Sequence, residues 1–450
     1  MKSTLRPSRF THSVDTKQGF VFFNSFSLVP VLIRNNFNLA SAIINKKETD
    51  WSTIDHSDLK ILTDNHILTT ESEDEIIISK LKQCIPNPRI DTVCFIITER
   101  CNLKCSYCFI EKNMSCKNKK IDMSEDIMRK GLDLFIKLFN GSSENKNEAP
   151  SIVIYGGEPL TNIKTVKALL DYVKKQKADG ALPPSTTINM NTNGTLLTKE
   201  IAECLRENNV IVSISLDGAE ISNSERIYPN GKASFQDVMN AIDVCKNNGV
   251  KMGIAVTLSP SVIQNYSSCI ELLKKIKPDK IGLNPLLGAI PYKKYPEDVA
   301  EFMIRAFEDL NELDVEEDRI SDRLKSIINR RLRLYDCSVA QGSQIVVTPD
   351  GAIGTCHGLI GSREFFITNV GDFDFDPLCD KTLIEWTQRT PINMHQCLDC
   401  MAVGVCGGGC PINAYNRKGS IYEVDEVCCP LSKGVVEWYF KKKCSDFVTL

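Results

Sequence analysis

Between residues 92 and 290 the chain alternates short apolar runs with longer stretches in which apolar residues recur every three or four positions. The apolar runs fall at 92–98, 151–156, 186–192, 211–216, 252–258 and 280–285. Short runs of this kind are expected of parallel strands buried on both faces. The intervening stretches carry the helical period. Ile127, Met128, Leu132, Phe135 and Phe139 follow Ser124, a residue type suited to capping a helix start. Ile163, Val166, Leu170 and Val173 form a second stripe. Six alternating β/α units predict an α/β fold with a parallel sheet and helical crossovers. Periodicity alone leaves open a doubly wound sheet or an incomplete barrel.

The flanks read differently. In residues 1–88 two β-like runs, GFVFF (19–23) and LVPVLIR (28–34), precede helical candidates at 36–46 and 56–66 and a further β-like run, EIIIS (75–79). That predicts a small α+β unit ending at the linker Pro86-Asn87-Pro88. A charged helical stretch covers about 296–334, and a cysteine-rich region begins at Cys337. The expected divisions are therefore 1–88, 89–295, 296–336 and 337–450. No repeat is evident, and Ser142 to Glu148 reads as a short solvated loop.

The predicted strand ends concentrate polar residues. Thr98, Glu158, Asn193, Ser215, Asp217, Thr257 and Asn284 all stand at or just beyond carboxyl ends. In α/β folds those ends share one ligand-binding mouth.

Composition narrows the function. The net charge of −3 gives no general attraction to nucleic acid or to an anionic membrane. No apolar run approaches the roughly 18–20 residues that would span a bilayer, and the first residues lack a secretory core. A cytoplasmic protein is expected. Against that expectation stand 19 cysteines, too many for a reducing compartment unless they bind metal or do redox chemistry. Cys204, Cys245 and Cys269 fall in apolar patterns and read as packing residues, and Cys116 as an exposed thiol or a neighbour of the mouth. The others cluster. Cys101, Cys105 and Cys108 share one loop. Cys337, Cys356, Cys397, Cys400, Cys406 and Cys410 crowd the last quarter, followed by Cys428, Cys429 and Cys444. Thiolates select zinc, copper(I) or iron–sulfur clusters. Three on one loop suit three corners of a cubane cluster whose fourth iron stays open, or a zinc ion with a distant fourth ligand.

TERCNLKCSYCF (98–109), followed by GGEP on the next predicted strand, resembles the radical S-adenosylmethionine (SAM) enzymes over about residues 90–290. The resemblance implies a partial (β/α)6 TIM-like barrel. It also implies a [4Fe–4S] cluster whose open iron binds SAM, and cleavage of SAM to a 5′-deoxyadenosyl radical that removes hydrogen from the substrate. By motif, Cys101, Cys105 and Cys108 would ligate the cluster and Tyr107 would lie against adenine. Gly156, Gly157 and Glu158 would meet the methionine amino group, the glycines allowing close backbone approach. Asn193 and Ser215 become candidates for ribose or methionine contacts, and Arg226 for the SAM carboxylate. Asp217, otherwise a turn residue before Gly218, is the weak candidate for the substrate proton, with Glu225 and Asp350 behind it.

The tail pairs Cys337-x13-Gly351-x4-Cys356 with CLDCMAVGVCGGGC (397–410) and the Cys428-Cys429 pair. Alone it could be a zinc ribbon. After this core it resembles the SPASM extension, which implies two auxiliary [4Fe–4S] clusters and three in all. Cys337, Cys356 and Cys410 would hold the first. Cys397, Cys400, Cys406 and one of the pair, preferably Cys428, would hold the second. The first then lacks a fourth cysteine unless it recruits Cys379. RPSRFTHSVDTKQGFVFFNSFSLVPVLI (6–33) resembles the leader-binding unit of peptide maturases, to which a leader adds as a strand. The implied partners are a precursor peptide and a small electron donor of flavodoxin or ferredoxin type. The implied activity is formation of a thioether, C–C or C–O cross-link. The alternatives are an anaerobic sulfatase-maturing, formylglycine-forming enzyme and, in another class, a non-catalytic metal-binding scaffold.

Overall fold

The computed structural model describes residues 5–46, 49–110, 120–142, 149–311 and 315–450. Cys116 and most of the expected polar loop after Ser142 lie outside them. The N-terminal strands are β1 (Arg6–Pro7), β2 (Thr11–Thr16), β3 (Gly19–Asn24), β4 (Val31–Ile33) and β5 (Leu68–Thr69). The central strands are β6 (Thr92–Ile96), β7 (Ser151–Tyr155), β8 (Thr187–Thr192), β9 (Ile211–Ser215), β10 (Met252–Leu258) and β11 (Lys280–Pro285). Then come β12 (Glu316–Glu317), β13 (Gln344–Val347), β14 (Ala352–Gly354), β15 (Phe366–Asn369) and β16 (Val448–Thr449).

The six predicted central strands all form, each parallel to its sequence neighbour, and β6 does not close on β11. The open sheet instead continues outward at both ends, in the order β12-β11-β10-β9-β8-β7-β6-β13-β14-β15. Side chains along β6 divide between two cores, as strand alternation requires. Val93 and Phe95 pack among the helices, whereas Cys94 and Ile96 pack with Val346, Ile360 and the partly buried Cys108 and Tyr155. The helix Glu125–Gly141 starts where expected, with the Ser124 side chain accepting from the Ile127 amide. Its apolar stripe of Met128, Leu132, Phe135 and Phe139 is buried.

The cysteine-rich region is not a separate layer. Its first strand, β13, runs parallel to β6 with Ile345 opposite Val93 and Val347 opposite Phe95, and β14 and β15 follow as antiparallel neighbours. The sequence gives no sign of this, because pairing across more than 250 residues leaves no local pattern.

Two sequence expectations are corrected. EIIIS is not a strand but part of the helix Glu71–Gln83. Thr70 and Glu73 form a reciprocal capping box at its start, acidic residues fill its first turn, and Lys80 and Lys82 lie in its last. Its Ile77, Ile78 and Leu81 pack at helical spacing toward Phe10 and Phe26. The charged stretch 296–334 is not one helix but two, Tyr295–Asn311 and Asp318–Ile328, with β12 between them paired to β11.

In the N-terminal unit α1 (Phe37–Ile44) and α2 (His56–Asp64) cover one face of a four-stranded sheet of order β16-β4-β3-β2. The other face, Val14, Val21, Phe23 and Leu32, packs on Val405, Val436 and Phe440 of the cysteine-rich region. Among the described residues no helix is long and apolar enough to cross a membrane.

Candidate active site

At the carboxyl ends of the central strands lies a cavity of about 620 Å³. Cys101, Cys105 and Cys108 line it, and so do Cys337, Cys356 and Cys410. Tyr107, Gly156, Gly157, Glu158, Asn193, Ser215 and Arg226 also face it. Residues separated by more than 300 positions thus share one wall.

The first cysteine loop is held by its neighbours. Lys104 N donates to Ile227 O at 2.7 Å, and Ser106 Oγ donates to Glu225 Oε1 at 2.7 Å. Asn193 Nδ2 donates to Asn102 Oδ1 at 2.9 Å and stands 3.9 Å from Cys101 Sγ. Burial pushes the Cys101 thiol up to about 12, so a cation must draw off its proton for it to act as a thiolate. The Gly156-Gly157 turn lies directly on this loop: Gly157 N donates to Thr98 O and Glu158 N to Arg100 O. A Cβ on Gly156 would collide with the Thr98 carbonyl, and one on Gly157 with that of Arg100. The close approach that these glycines allow is therefore to the cysteine loop's own backbone.

Glu158 is fully buried. Its Oε1 accepts from Leu160 N at 3.0 Å and Thr192 Oγ1 at 2.7 Å, and its Oε2 from Asn193 N at 2.7 Å. Burial raises its pKa, while these donors and Arg226 oppose the rise. The carboxylate ties the ends of β7 and β8 together and keeps acceptor capacity toward the cavity.

Asp217 lies just beyond β9 and is also fully buried, but it does not line the cavity. Its Oδ2 accepts from the Tyr107 hydroxyl and, at 3.0 Å, from Arg226 Nε, and its Oδ1 from Thr257 N at 2.9 Å. It is a fastener rather than a group placed to take a substrate proton. Glu225 is engaged with Ser106, and Asp350 with Thr348 and Arg363; neither lines the cavity. Arg226 is buried, not a solvated helix residue, and its guanidinium lies 5.5 Å over the Tyr107 ring. With Nε committed to Asp217, Nη1 reaches to 4.0 Å from Cys105 Sγ. Burial pushes the Tyr107 hydroxyl pKa well up, against the pull of Arg226.

The C-terminal cysteines separate into two groups. Cys337, Cys356 and Cys410 face the large cavity, where Asp425 Oδ2 accepts from Cys410 N at 3.0 Å. Cys397, Cys400, Cys406 and Cys429 surround a second, narrow cavity of about 20 Å³. Of the adjacent pair, Cys429 is the one that lines this cavity. Cys428, the preferred partner on sequence, turns toward the large cavity, 3.1 Å from Arg323 Nη2 and 3.8 Å from Cys406 Sγ. Consecutive residues at a helix start point about 100° apart, so only one of the pair can face a given cavity. Cys379 is exposed, donates to Asp376 Oδ2 and lines neither cavity.

Three features escaped the sequence reading. Arg389, fully buried, donates to the carbonyls of Gly408, Gly409, Glu423 and Ile421 and so shapes the glycine-rich cysteine turn. Arg323, also buried, donates to Ser432 Oγ, Asp336 Oδ1 and Cys428 Sγ. His357, behind Cys356, lies 4.9 Å from the Tyr155 ring, and burial lowers its pKa to about 4. Only His357 carried a signal, its place beside a candidate ligand.

Among the described residues no three His, Cys, Asp or Glu side chains converge on a point where one metal ion would sit. The two cysteine triads that face this cavity have the ligand chemistry of polynuclear iron–sulfur groups, which cysteine thiolates hold. The model of the Radical SAM superfamily matches residues 95–276, the span from the end of β6 through β10 and the two helices that follow it. Residues 95–276 thus carry a radical SAM domain. The chain is 26% identical to radical SAM cyclopropyl synthase TigE of Paramaledivibacter caminithermalis, over 80% of this chain and 76% of TigE. It is 25% identical to a cysteine-type anaerobic sulfatase-maturating enzyme of Clostridium novyi, over 70% and 86%. The fold matches anSMEcpe with bound AdoMet at a TM-score of 0.65 and 21% identity, covering 79% of this chain and 98% of that one. It matches SuiB of Streptococcus suis bound to precursor peptide SuiA at a TM-score of 0.54 and 14% identity, covering 94% and 99%.

Proposed function

We propose that this enzyme installs a cross-link in a ribosomally made precursor peptide, beginning with hydrogen abstraction from an unactivated carbon. The observation that carries the reading is the single cavity that joins two cysteine triads. One triad would serve SAM; the other would take up the electron released as the new bond forms. In this reading Cys101, Cys105 and Cys108 hold the SAM-binding cluster. Cys337, Cys356 and Cys410 hold one auxiliary cluster, and Cys397, Cys400, Cys406 and Cys429 hold a second. When bound, the first centre supplies the electron for reductive cleavage of SAM.

The chain's own residues do the positioning. Asp217 fixes Arg226 by Nε, which leaves the terminal nitrogens to pair with the SAM carboxylate. Glu158 retains acceptor capacity for the methionine ammonium, and Asn193 and Ser215 lie within the same wall for ribose or methionine contacts. Tyr107 is held by Asp217 at the adenine end.

A structural relative supports a peptide substrate: SuiB was solved bound to its precursor peptide. Sulfatase maturation is the second reading, favoured by the better TM-score of anSMEcpe. That match leaves about a fifth of this chain without a counterpart, whereas SuiB covers 94% of it. The N-terminal unit, with its sheet edge, is the part a leader peptide would use. Electrons would come from a small flavodoxin- or ferredoxin-type donor. The test is anaerobic co-expression with the short peptide encoded beside the gene, followed by weighing the peptide. Loss of two hydrogen atoms per bond supports the reading; SAM cleavage with no change in peptide mass overturns it. Iron analysis should give roughly twelve atoms per chain, four per cubane.

A further inference from the structure

A buried ion pair links the two C-terminal cysteine groups, and its two ends face different groups. Arg323 comes from the helix Asp318–Ile328, and Asp336 stands one residue before Cys337. Arg323 Nη2 lies 3.2 Å from Asp336 Oδ1, and the two side chains are only 1% and 7% exposed. Both residues line the large cavity. The same Nη2 donates to Cys428 Sγ at 3.1 Å, and Cys428 Sγ stands 3.8 Å from Cys406 Sγ, in the group around the narrow cavity. The cation thus reaches the second group while the anion adjoins the first.

The guanidinium is held at every nitrogen. Besides Nη2, Nε donates to Ser432 Oγ at 2.9 Å, on the helix Cys428–Lys443, and Nη1 donates to Arg319 O at 2.8 Å. Arg319 and Arg333 also approach Asp336, at 3.9 and 3.5 Å, but their side chains are 36% and 20% exposed, and Arg333 is shared with Asp322 at 3.2 Å. Water and salt screen charges in such positions; they screen a buried one much less. A buried ion pair is weak as a source of stability, because desolvating both charges offsets most of their attraction. What this pair supplies is a fixed field. A fixed positive charge beside a redox centre favours its reduced form, and a fixed negative charge its oxidised form.

We propose that the Arg323–Asp336 pair orders the two auxiliary centres in potential. Asp336 lowers the one at Cys337, Cys356 and Cys410, and Arg323 raises the one at Cys397, Cys400, Cys406 and Cys429. One electron received at the first centre then passes to the second: the first is reoxidised as the second is reduced, and the substrate cavity regains an oxidised acceptor. Cys428, which lines the large cavity and is not among those seven cysteines, is the contact through which Arg323 meets the second group. This inference rests on the cluster assignments of the reading above; the identity of the peptide does not enter it.

The test is an anaerobic, dye-mediated redox titration of the reconstituted enzyme without peptide, read by electron paramagnetic resonance. The signal missing in Cys429→Ser marks the second auxiliary centre, and the one missing in Cys105→Ala marks the SAM-binding centre. In the unaltered enzyme the second auxiliary centre should be reduced at a higher potential than the first. Arg323→Gln should lower its midpoint by about 59 mV, a tenfold change in a one-electron equilibrium, and move the first centre less. Arg323→Lys, which keeps the charge and loses the fork of bonds, should shift it less than Arg323→Gln does. Asp336→Asn should narrow the gap from the other side by raising the first centre, and it decides the matter should Arg323→Gln fail to take up iron. Centres that are not ordered in the unaltered enzyme, potentials that do not move, or equal shifts in the Lys and Gln variants overturn the inference. Ordered potentials with no change in peptide mass overturn the peptide reading and leave this inference standing. Iron near about four atoms per chain, one cubane, removes the auxiliary centres and this inference with them.

Discussion

The two cysteine regions of this enzyme are built by opposite means. The Cys101–Cys108 loop is held from outside, by groups that arrive from the ends of β7, β8 and β9: Glu158, Asn193 and the pair Asp217–Arg226. The Cys397–Cys410 turn is held from within, by Arg389 threading its guanidinium into four nearby carbonyls. The first arrangement makes the loop depend on the whole sheet. The second makes a compact cage from one short stretch and a single buried cation. A site that must exchange a small molecule sits where many strands contribute one group each. A closed site is folded around itself.

Substitutions can break that contrast. The largest effect is expected from Cys105→Ala. SAM cleavage should vanish, and iron per chain should fall by about a third, one cubane of three. Retained cleavage would remove this loop from the chemistry. Next, Asp217→Asn leaves the buried Arg226 without its counter-charge, a loss that typically costs about 3–5 kcal/mol. Denaturant unfolding should register it, and SAM should bind more weakly because Arg226 and Tyr107 lose their common anchor. Arg389→Ala strips donors from buried carbonyls, about 1–3 kcal/mol for each one left unsatisfied. Its iron deficit should be confined to the C-terminal region, with SAM binding intact; a deficit at the first loop would show that the two regions are not built independently. Cys429→Ser should lose one cluster's absorbance, and Cys428→Ser should keep it; the reverse result would exchange their roles.

The smallest effect concerns pH. Burial, assisted by Lys46 and Lys433, lowers the His12 pKa from 6.5 to about 4. Between those values the unfolded chain binds the proton and the folded one does not, so stability should fall as pH drops from about 6.5 toward 4. His12→Gln should flatten that part of the stability profile. An unchanged slope would mean that other groups set it.

The legibility of the sequence follows the same division. The six central strands and the Ser124-capped helix were readable because burial on both faces and the helical period are local signals. The cysteines and the glycine pair were readable because their chemistry lies in their spacing. EIIIS misled because three consecutive isoleucines outweigh a capping box unless Thr70 and Glu73 are weighed with them. Asp217 looked like a turn residue because its three partners, Tyr107, Arg226 and Thr257, are scattered over 150 positions. Nothing along the chain separates Cys428 from Cys429; only the direction of a helix start does. Arg389 looks like any other arginine until four carbonyls surround it.

The pairing of β13 with β6 bears on how this protein can be handled. A fragment stopped before residue 337 would keep every residue that meets SAM in the proposed reading, yet it would lose the strand along Thr92–Phe95. That would bare the backbone of β6, whose five residues are all buried in the intact chain. An uncovered apolar strand edge recruits other chains. Such a fragment should precipitate on expression rather than behave as a minimal catalyst.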